Sequence, residues 1–415
     1  MAAAGRARLA DYHGVGRKPV DGVVVVGMLA IRSGAAFDGV GPALVERPLV
    51  LVDEGRIAEV RAGGVPPPGA EVIDLGGATL LPGLIDAHVH LVFDGSADPV
   101  GAIERLSDEE LLDRMRTAAR TCLAAGITTV RDLGDRAYLA VRLRDELVAE
   151  PAAGPEILAA GPPVTTSQGH CWFLGGAADG VDGVRAAVRA RAERGVDVIK
   201  VMATGGEMTP GTRSHEVQYG PDELRAAVEE AHRHGLPVAV HAHGVAGIEN
   251  AVAAGVDTIE HCSFMTVDGV DSRPDLIAAI ARAGIVVSTT LGVVPGFAPP
   301  PRISARLDGF LANVRQMRDA GVTVVCGSDA GIGPPKPHDV LPYGAAMLVE
   351  CGFPPVAALR AVTSSAAWAC RVGERKGRLA PGFDADLLAV DGDPLADITA
   401  LRAVTAVFRA GSRVR

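Results

Sequence analysis

"LPGLIDAHVHL", residues 81–91, combines a run of apolar residues with one aspartate and two histidines. Side chains alternate between the two faces of a β-strand, so His88 and His90 project from the same face. The apolar residues around them are typical of a strand that is buried on both faces. The stretch therefore predicts a buried strand whose end carries two neighbouring imidazoles.

The sequence after this strand alternates between strand-like and helix-like segments. The further strand-like segments are "ITTVRDL", "EILAAG", "DVIKVMA", "PVAVHAHG", "DTIEHCS", "IVVSTT" and "VTVVCGSDA". Helix-like segments follow them, and several end at a glycine, the usual helix stop. Eight βα units within residues 81–371 predict a closed (β/α)8 barrel. A doubly wound sheet is disfavoured because no Gly-rich phosphate-binding turn follows the first strand.

The two ends of the chain have a different pattern. Residues 22–80 and 372–415 contain short strand candidates separated by Gly and Pro, which predict β structure at both ends. Residues 1–21 predict a flexible N-terminal tail. At residues 17–31, basic residues precede an apolar run as in an export signal, but the turn-punctuated pattern that follows favours a first strand.

The composition excludes several classes of protein. The chain has 415 residues, is 48% hydrophobic and only 4% aromatic, so its core must consist of aliphatic residues that suit parallel sheets covered by helices. The net charge is −10 and no basic cluster is present, which disfavours a nucleic-acid partner. No apolar run is long enough to span a membrane. The six cysteines are scattered without a CxxC pair, so we expect reduced thiols and a cytoplasmic location.

Residue types that bind metals stand at the ends of several predicted strands. They are His88 and His90 of the first strand, Lys200 of the fourth, His241 and His243 of the fifth, His261 of the sixth and Asp329 of the eighth. Singly, such a histidine is more often a hydrogen-bonded core residue, and such an aspartate is more often a helix cap. Together at one rim of a barrel they would need many separate partners, whereas shared divalent metals satisfy them jointly. The pattern therefore predicts a metal centre.

A lysine is an unusual member of such a set, because an ammonium repels metal cations. Burial near positive charge lowers the pKa of a lysine, and a neutral amine can add CO₂ to form a carbamate. A carbamate on Lys200 would be an anion with two oxygens that could bridge two metals. The alternative is that Lys200 has no role at a metal and is an ion-paired or partly solvated side chain.

The quoted motifs together resemble a known family. "LPGLIDAHVHL", "DVIKVMATGG", "HAHG", "EHC", "GSDA" and the tail "GRLAPGFDADLLAVDGDP" are similar to the amidohydrolase superfamily, in particular its imidazolonepropionase-related, prolidase-like branch of zinc-dependent peptidases and amidases. The similarity covers nearly the whole chain after residue 22. It implies a distorted (β/α)8 TIM barrel at residues 81–371. It also implies a small β-sandwich domain formed from residues 22–80 and 372–415.

The resemblance also implies a role for each metal ligand. The implied ligands are His88 and His90 at the more buried metal, His241 and His261 at the more exposed metal, carboxylated Lys200 between the two, and Asp329 at the buried metal. A hydroxide that bridges the two metals would be the nucleophile. Asp329 would take the proton from the bridging water and pass it to the leaving amine.

Four further residues are candidates for contacts with the substrate. By resemblance, the Tyr219 hydroxyl could polarise the scissile carbonyl, although a tyrosine packed at a helix start is a close alternative. His170, in the loop after the third strand, could line the pocket or stabilise its loop. His243 could contact the substrate or orient the ligands. Arg213 could bind a substrate carboxylate, but a solvated loop arginine is the favoured interpretation.

The predicted function is hydrolysis of a peptide-like amide, in a dipeptide or an N-acyl amino acid, with two divalent ions as cofactors. Zn²⁺ is the preferred ion, while Mn²⁺, Fe²⁺ and Co²⁺ also suit these ligands. One alternative is hydrolysis of a non-peptide carbonyl such as a cyclic amide, lactone, carbamate or phenylurea. A second is a mononuclear deaminase or imidazolonepropionase-type ring opener, and a third is a non-catalytic relative. The expected partner is a small-molecule substrate, and a homo-oligomer is compatible with the sequence.

Overall fold

The computed structural model describes residues 27–297 and 301–415. Its strands are β1 (Leu29–Arg32), β2 (Ala35–Ala36), β3 (Val45–Glu46), β4 (Pro48–Asp53), β5 (Arg56–Ala62), β6 (Glu71–Asp74), β7 (Thr79–Pro82), β8 (Leu84–Val89), β9 (Ile127–Asp132), β10 (Glu156–Ala159), β11 (Ile199–Met202), β12 (Val238–Gly244), β13 (Thr258–Met265), β14 (Val286–Ser288), β15 (Val324–Val325), β16 (Leu387–Val390), β17 (Val404–Arg409) and β18 (Ser412–Arg413). The predicted tail, residues 1–21, lies outside the described residues.

The α-helices lie mainly between the parallel strands. They are α1 (Pro99–Arg105), α2 (Asp108–Ala124), α3 (Leu139–Ala149), α4 (Gly180–Glu193), α5 (Pro221–Arg233), α6 (Val245–Ala254), α7 (Pro274–Ala283), α8 (Pro301–Asp319), α9 (Leu341–Glu350), α10 (Pro355–Ala361) and α11 (Ser364–Ala369). No helix of the described ranges is long and apolar enough to cross a membrane.

The eight predicted strands of the central region are present and parallel. They form a three-stranded sheet, in the order β10-β9-β8, and a five-stranded sheet, in the order β11-β12-β13-β14-β15. Single bridges connect the two sheets at both edges, between Val164 and Val201 and between Val89 and Ala330. Both sheets are open, so the closed barrel remains a prediction. The strand order nevertheless brings the carboxyl ends of neighbouring strands together.

Both chain ends form β structure, as the sequence pattern predicts, and their strands pair with each other. A six-stranded sheet has the order β18-β17-β16-β7-β2-β3, and a four-stranded sheet has the order β5-β4-β1-β6. Ile31 and Val50 of the smaller sheet belong to the same buried apolar cluster as Leu80 and Phe408 of the larger sheet. This shared cluster connects the two sheets. The β-sandwich itself and the exact domain limits remain predictions.

Helix α2 shows how local sequence determines an element of this fold. The Ser107 hydroxyl accepts a hydrogen bond from the Glu110 amide, and the Glu110 carboxylate accepts one from the Ser107 amide, which completes a capping box. Leu111, Met115 and Cys122 then recur at helical spacing and are fully buried. The helix therefore begins at its cap and covers the parallel strands with one apolar face.

The sequence pattern did not predict helix α9, which lies between β15 and the predicted last helix. Its Leu341, Ala345 and Leu348 follow helical spacing and are fully buried. The helix begins with Pro342 in its first turn, where a missing amide hydrogen costs nothing. The predicted helical stretch near 354–370 is present as α10 and α11.

Candidate metal centre

The ends of β8 and β15 bring His88, His90 and Asp329 together. The two Nε2 atoms are 3.3 Å apart, and Asp329 Oδ1 lies 3.5 Å from His88 Nε2 and 3.4 Å from His90 Nε2. Ligand atoms placed tetrahedrally at about 2.1 Å from a zinc ion are about 3.4 Å from each other. The three atoms therefore have a spacing that fits one divalent ion, and we call them the first triad.

The second ring nitrogen of each histidine in the first triad has its own hydrogen-bond partner. His88 Nδ1 lies 2.8 Å from Glu260 Oε2, and His90 Nδ1 lies 3.0 Å from the carbonyl oxygen of Gly134. Because both partners are acceptors, the proton is assigned to Nδ1 and the Nε2 lone pair is left free. Burial, together with the charge of Lys200, lowers the pKa of His88 to about 4. At neutral pH His88 is therefore the neutral imidazole that a metal requires.

Glu260 joins the first triad to a buried ionic network. Its carboxylate accepts hydrogen bonds from Arg131, at 3.0 Å, and from the Thr258 hydroxyl, at 2.6 Å, as well as from His88. Burial alone would raise the pKa of Glu260, but the charge of Arg131 and the bond from His88 outweigh it and lower the pKa to about 2. Glu260 is therefore a buried carboxylate that fixes the orientation of His88. The sequence analysis did not identify this role.

Strands β12 and β13 carry a second group, formed by His241, His243 and His261. One nitrogen from each ring lies within 4.8 Å of the others. The rings of His243 and His261 are stacked with centroids 4.4 Å apart, and His241 meets His261 edge-on at 4.6 Å. We call these three residues the histidine cluster. Sequence reasoning placed His241 and His261 at a metal, and the structure adds His243 to their immediate surroundings.

Hydrogen bonds orient the rings of the histidine cluster as they do in the first triad. His241 Nε2 lies 3.0 Å from the Gly205 carbonyl oxygen, and His261 Nδ1 lies 2.9 Å from Thr290 Oγ1. Burial, and next the charge of His243, lowers the pKa of both His241 and His261 well below the usual range. The rings of His241 and His261 are thus neutral at pH 7, and each keeps one nitrogen available for a metal.

Lys200 of β11 is buried within electrostatic reach of both groups. Within residues 27–297 and 301–415 its ammonium has no hydrogen bond and no ion pair. Burial lowers the pKa of Lys200 to about 8, although the charges of Glu260 and Asp329 act to raise it. The ring centroids of His88 and His261 are 5.3 Å apart, so the first triad and the histidine cluster are themselves adjacent. An amine without a partner thus lies beside two candidate metal sites.

Several residues of the centre have left-handed backbone conformations. The φ angles are 67° at His261, 49° at Thr290 and 57° at Asp329. A non-glycine residue adopts such an angle at a cost in conformational energy, and residues in this conformation are enriched at functional sites. The Asp329 amide donates to the His88 carbonyl oxygen at 2.7 Å, which ties the two ligand-bearing segments together.

The remaining candidates differ in their relation to the centre. His170 is buried with its ring centroid 4.8 Å from that of His241, and its Nδ1 lies 3.1 Å from Thr209 Oγ1. The Tyr219 hydroxyl donates to the Ala178 carbonyl oxygen at 2.5 Å. Arg213 is mostly exposed and lies 3.9 Å from Glu216, which agrees with a solvated loop arginine. The catalytic roles of His170, His243 and Tyr219 remain predictions.

Buried histidines, a lysine and an aspartate at the carboxyl ends of parallel α/β strands are typical of metal-dependent hydrolases with TIM-barrel-like folds. Comparison with known proteins agrees with this class. Residues 79–414 match the amidohydrolase family, and the chain belongs to that family.

Individual relatives are similar to this chain over most of its length. Ochratoxinase of Aspergillus niger is 29% identical over 377 residues, covering 80% of this chain and 75% of its own. Imidazolonepropionase of Salinispora arenicola is 28% identical over 396 residues, covering 88% of this chain and 91% of its own. A solved Xaa-Pro dipeptidase with bound methionine aligns with a TM-score of 0.83 and 28% identity, over 93% of this chain and 99% of that one. The resemblance inferred from the motifs is thus confirmed: the protein has an α/β TIM-barrel-like fold and is a hydrolase that acts on C–N bonds.

Proposed function

We propose that the protein is a binuclear metal-dependent amidohydrolase that cleaves a peptide-like amide bond in a dipeptide or an N-acyl amino acid. The observation that carries this proposal is the buried, unpartnered amine of Lys200 beside the first triad and the histidine cluster. A protein that held a single ion at the first triad would have no use for such an amine. In a binuclear centre, a carbamate on Lys200 would supply an anionic bridge at this position.

The two ions would be held by six side chains. His88, His90 and Asp329 would bind one ion, and His241 and His261 would bind the other. Lys200 would bridge them after its neutral amine adds CO₂ and releases one proton, which gives a carbamate whose single negative charge is shared by two oxygens. The lowered pKa of Lys200, about 8, favours this addition because only the neutral amine reacts. Zn²⁺ is the metal we propose, since four of the five unmodified ligands are imidazoles.

The chain's own groups would then position the substrate and move the proton. When bound, the ions supply Lewis acidity and lower the pKa of water. Asp329 would accept a proton at its carboxylate and return it to the leaving nitrogen. His170 and His243, whose rings contact that of His241, would border the substrate. Tyr219 could polarise the scissile carbonyl only if its hydroxyl released the Ala178 carbonyl oxygen.

The proposed hydrolase is built on a distorted (β/α)8 barrel at residues 81–371, with a β-sandwich from residues 22–80 and 372–415. The bridges at Val89 and Val164 support closure of the barrel. The apolar cluster that both outer sheets share supports the sandwich. This division leaves the proposed catalytic groups entirely within the barrel.

The likeness to a solved Xaa-Pro dipeptidase supports a peptide-like substrate, and the likeness to ochratoxinase keeps other amides in consideration. A second candidate function is ring opening at a single metal, which the sequence similarity to an imidazolonepropionase favours. The two candidates differ in metal content, because the second requires only one ion per chain. They also differ in their dependence on Lys200.

The proposal is tested by a substrate screen with zinc-loaded protein that was expressed in the presence of bicarbonate. Dipeptides, N-acyl amino acids, aryl amides, phenylureas and imidazolonepropionate are compared, with Asp329→Asn protein as the inactive control. We expect amine release from dipeptides or N-acyl amino acids and two zinc ions per chain. Turnover of imidazolonepropionate alone, with one zinc ion per chain, would overturn the proposal.

A further inference from the structure

A loop after β15, residues 331–340, places a lysine ammonium beside the candidate metal centre; we call it the Lys336 loop. Lys336 Nζ donates to the carbonyl oxygen of Thr290 at 2.8 Å and to that of Ser328 at 2.7 Å. These two carbonyls follow different strands, β14 and β15. One ammonium therefore joins the ends of two neighbouring strands.

Each of the two carbonyls belongs to a residue that supports a different part of the centre. Thr290 holds the ring of His261 through its hydroxyl, at 2.9 Å from Nδ1. Ser328 directly precedes Asp329, a member of the first triad. Thr290 and Asp329 are both in the left-handed conformation, with φ angles of 49° and 57°. Charge-assisted bonds next to these residues can compensate the cost of that conformation.

Other contacts fix the Lys336 loop against the segments that follow β14 and β8. The Pro335 carbonyl oxygen accepts from the Val294 amide at 2.9 Å, and His338 Nε2 lies 3.2 Å from the His90 carbonyl oxygen. Gly331 has a φ of 98°, and a Cβ there would lie 2.5 Å from the His90 carbonyl oxygen, so only glycine fits. The loop thus contacts the backbone of His90, a proposed ligand, and of Thr290, whose hydroxyl contacts the His261 ring.

We propose that Lys336 is a positioning residue that holds His261 and Asp329 in the geometry needed to bind both metals. This inference rests on the proposed binuclear function. Removing the ammonium leaves two carbonyls without their donor. It also frees two residues in a strained conformation, Thr290, which contacts the His261 ring, and the proposed ligand Asp329. In this proposal Lys336 acts through the Thr290 and Ser328 carbonyl oxygens and not as a metal ligand.

The test measures zinc affinity rather than activity. Metal-free wild-type protein, Lys336→Met and Lys336→Arg are titrated with Zn²⁺ in competition with a chromophoric chelator. We expect Lys336→Met to weaken zinc binding about 10- to 100-fold, the usual effect of losing a group that orients metal ligands, and Lys336→Arg to recover part of this loss. Arg318→Met is the matched control. Arg318 lies at the end of α8 and also donates to a backbone carbonyl, that of Cys351, at 2.6 Å.

Hydrogen exchange of the metal-free proteins separates this inference from the proposed function. Faster exchange confined to peptides covering residues 286–294 and 326–337 of Lys336→Met supports the positioning role, even if the wild type binds one ion or none. If the wild type binds zinc, an affinity of Lys336→Met within twofold of it would overturn the inference. Faster exchange throughout the chain would overturn it in every case. If Lys336→Met does not fold, Lys336→Gln, which keeps an amide donor but no charge, takes its place in both measurements.

Discussion

Replacing Glu260 with glutamine is expected to destabilise the fold and to release the ring of His88. The Glu260 carboxylate is fully buried and accepts hydrogen bonds from Arg131, His88 and Thr258. Glutamine keeps the shape but loses the charge, and its amide hydrogens face donors. The buried guanidinium of Arg131 then lacks a counter-charge, which is costly in an apolar interior.

The magnitude follows from the pKa of Glu260. A decrease from the ordinary value of 4.5 to about 2 corresponds to about 3 kcal/mol of preferential stabilisation of the charged form. Because the pKa is lower in the folded state, this stabilisation is complete above pH 4.5 and is lost as the pH falls toward 2. We therefore expect Glu260→Gln to lose about 3 kcal/mol of unfolding free energy at pH 7, and much less at pH 3.

The assay is urea unfolding of metal-free wild-type protein, Glu260→Gln, Arg131→Met and the double variant, followed by circular dichroism. If the two charges stabilise each other, the double variant will be more stable than the sum of the single effects predicts, by more than about 1 kcal/mol. Strict additivity, or a loss of less than about 1 kcal/mol for Glu260→Gln at pH 7, would refute this reasoning.

Further predictions concern the proposed catalytic groups and a distant ionic network. Lys200→Met should lower the zinc content from two ions per chain to one or none and should abolish activity, whereas a mononuclear enzyme would keep its single ion. Asp329→Asn should reduce kcat by at least about 100-fold with a smaller change in KM, as expected for loss of a proton acceptor. Burial raises the pKa of Glu156, but the bond from Arg375 outweighs it and lowers the pKa to about 2. Because the Glu156 side chain is 19% exposed and solvent screens its charge, Glu156→Gln should cost about 2 kcal/mol at pH 7, less than Glu260→Gln. In urea unfolding this cost should vanish as the pH falls from 4.5 toward 2, and a cost that persists at pH 2 would contradict the ionic explanation.

Strand alternation was sufficient to predict which candidate ligands of one strand lie next to each other. Strand alternation placed His88 and His90 on one face, and the structure brings their Nε2 atoms to 3.3 Å. The same alternation linked His241 to His243, whose rings lie 4.7 Å apart. These predictions succeeded because they depend on one strand at a time, where the period of two is fixed by backbone geometry.

The groups that orient the ligands could not be predicted in the same way. The bond between His88 and Glu260 joins residues 172 positions apart and depends on how β8 and β13 face each other. Lys336 acts through backbone carbonyls, for which no side-chain motif exists. The left-handed conformation of Asp329 is equally invisible in the sequence, because nothing in "GSDA" marks a positive φ angle. Contacts between distant segments thus account for most of what the motifs did not reveal.

The central claim is that six side chains hold two metal ions, and anomalous diffraction from crystals of the zinc-loaded protein tests it most directly. Data collected above and below the zinc absorption edge should show two peaks per chain. One peak is predicted among His88, His90 and Asp329, and the other among His241, His261 and a carboxylated Lys200. A single peak, or two peaks that do not contact these residues, would contradict the account.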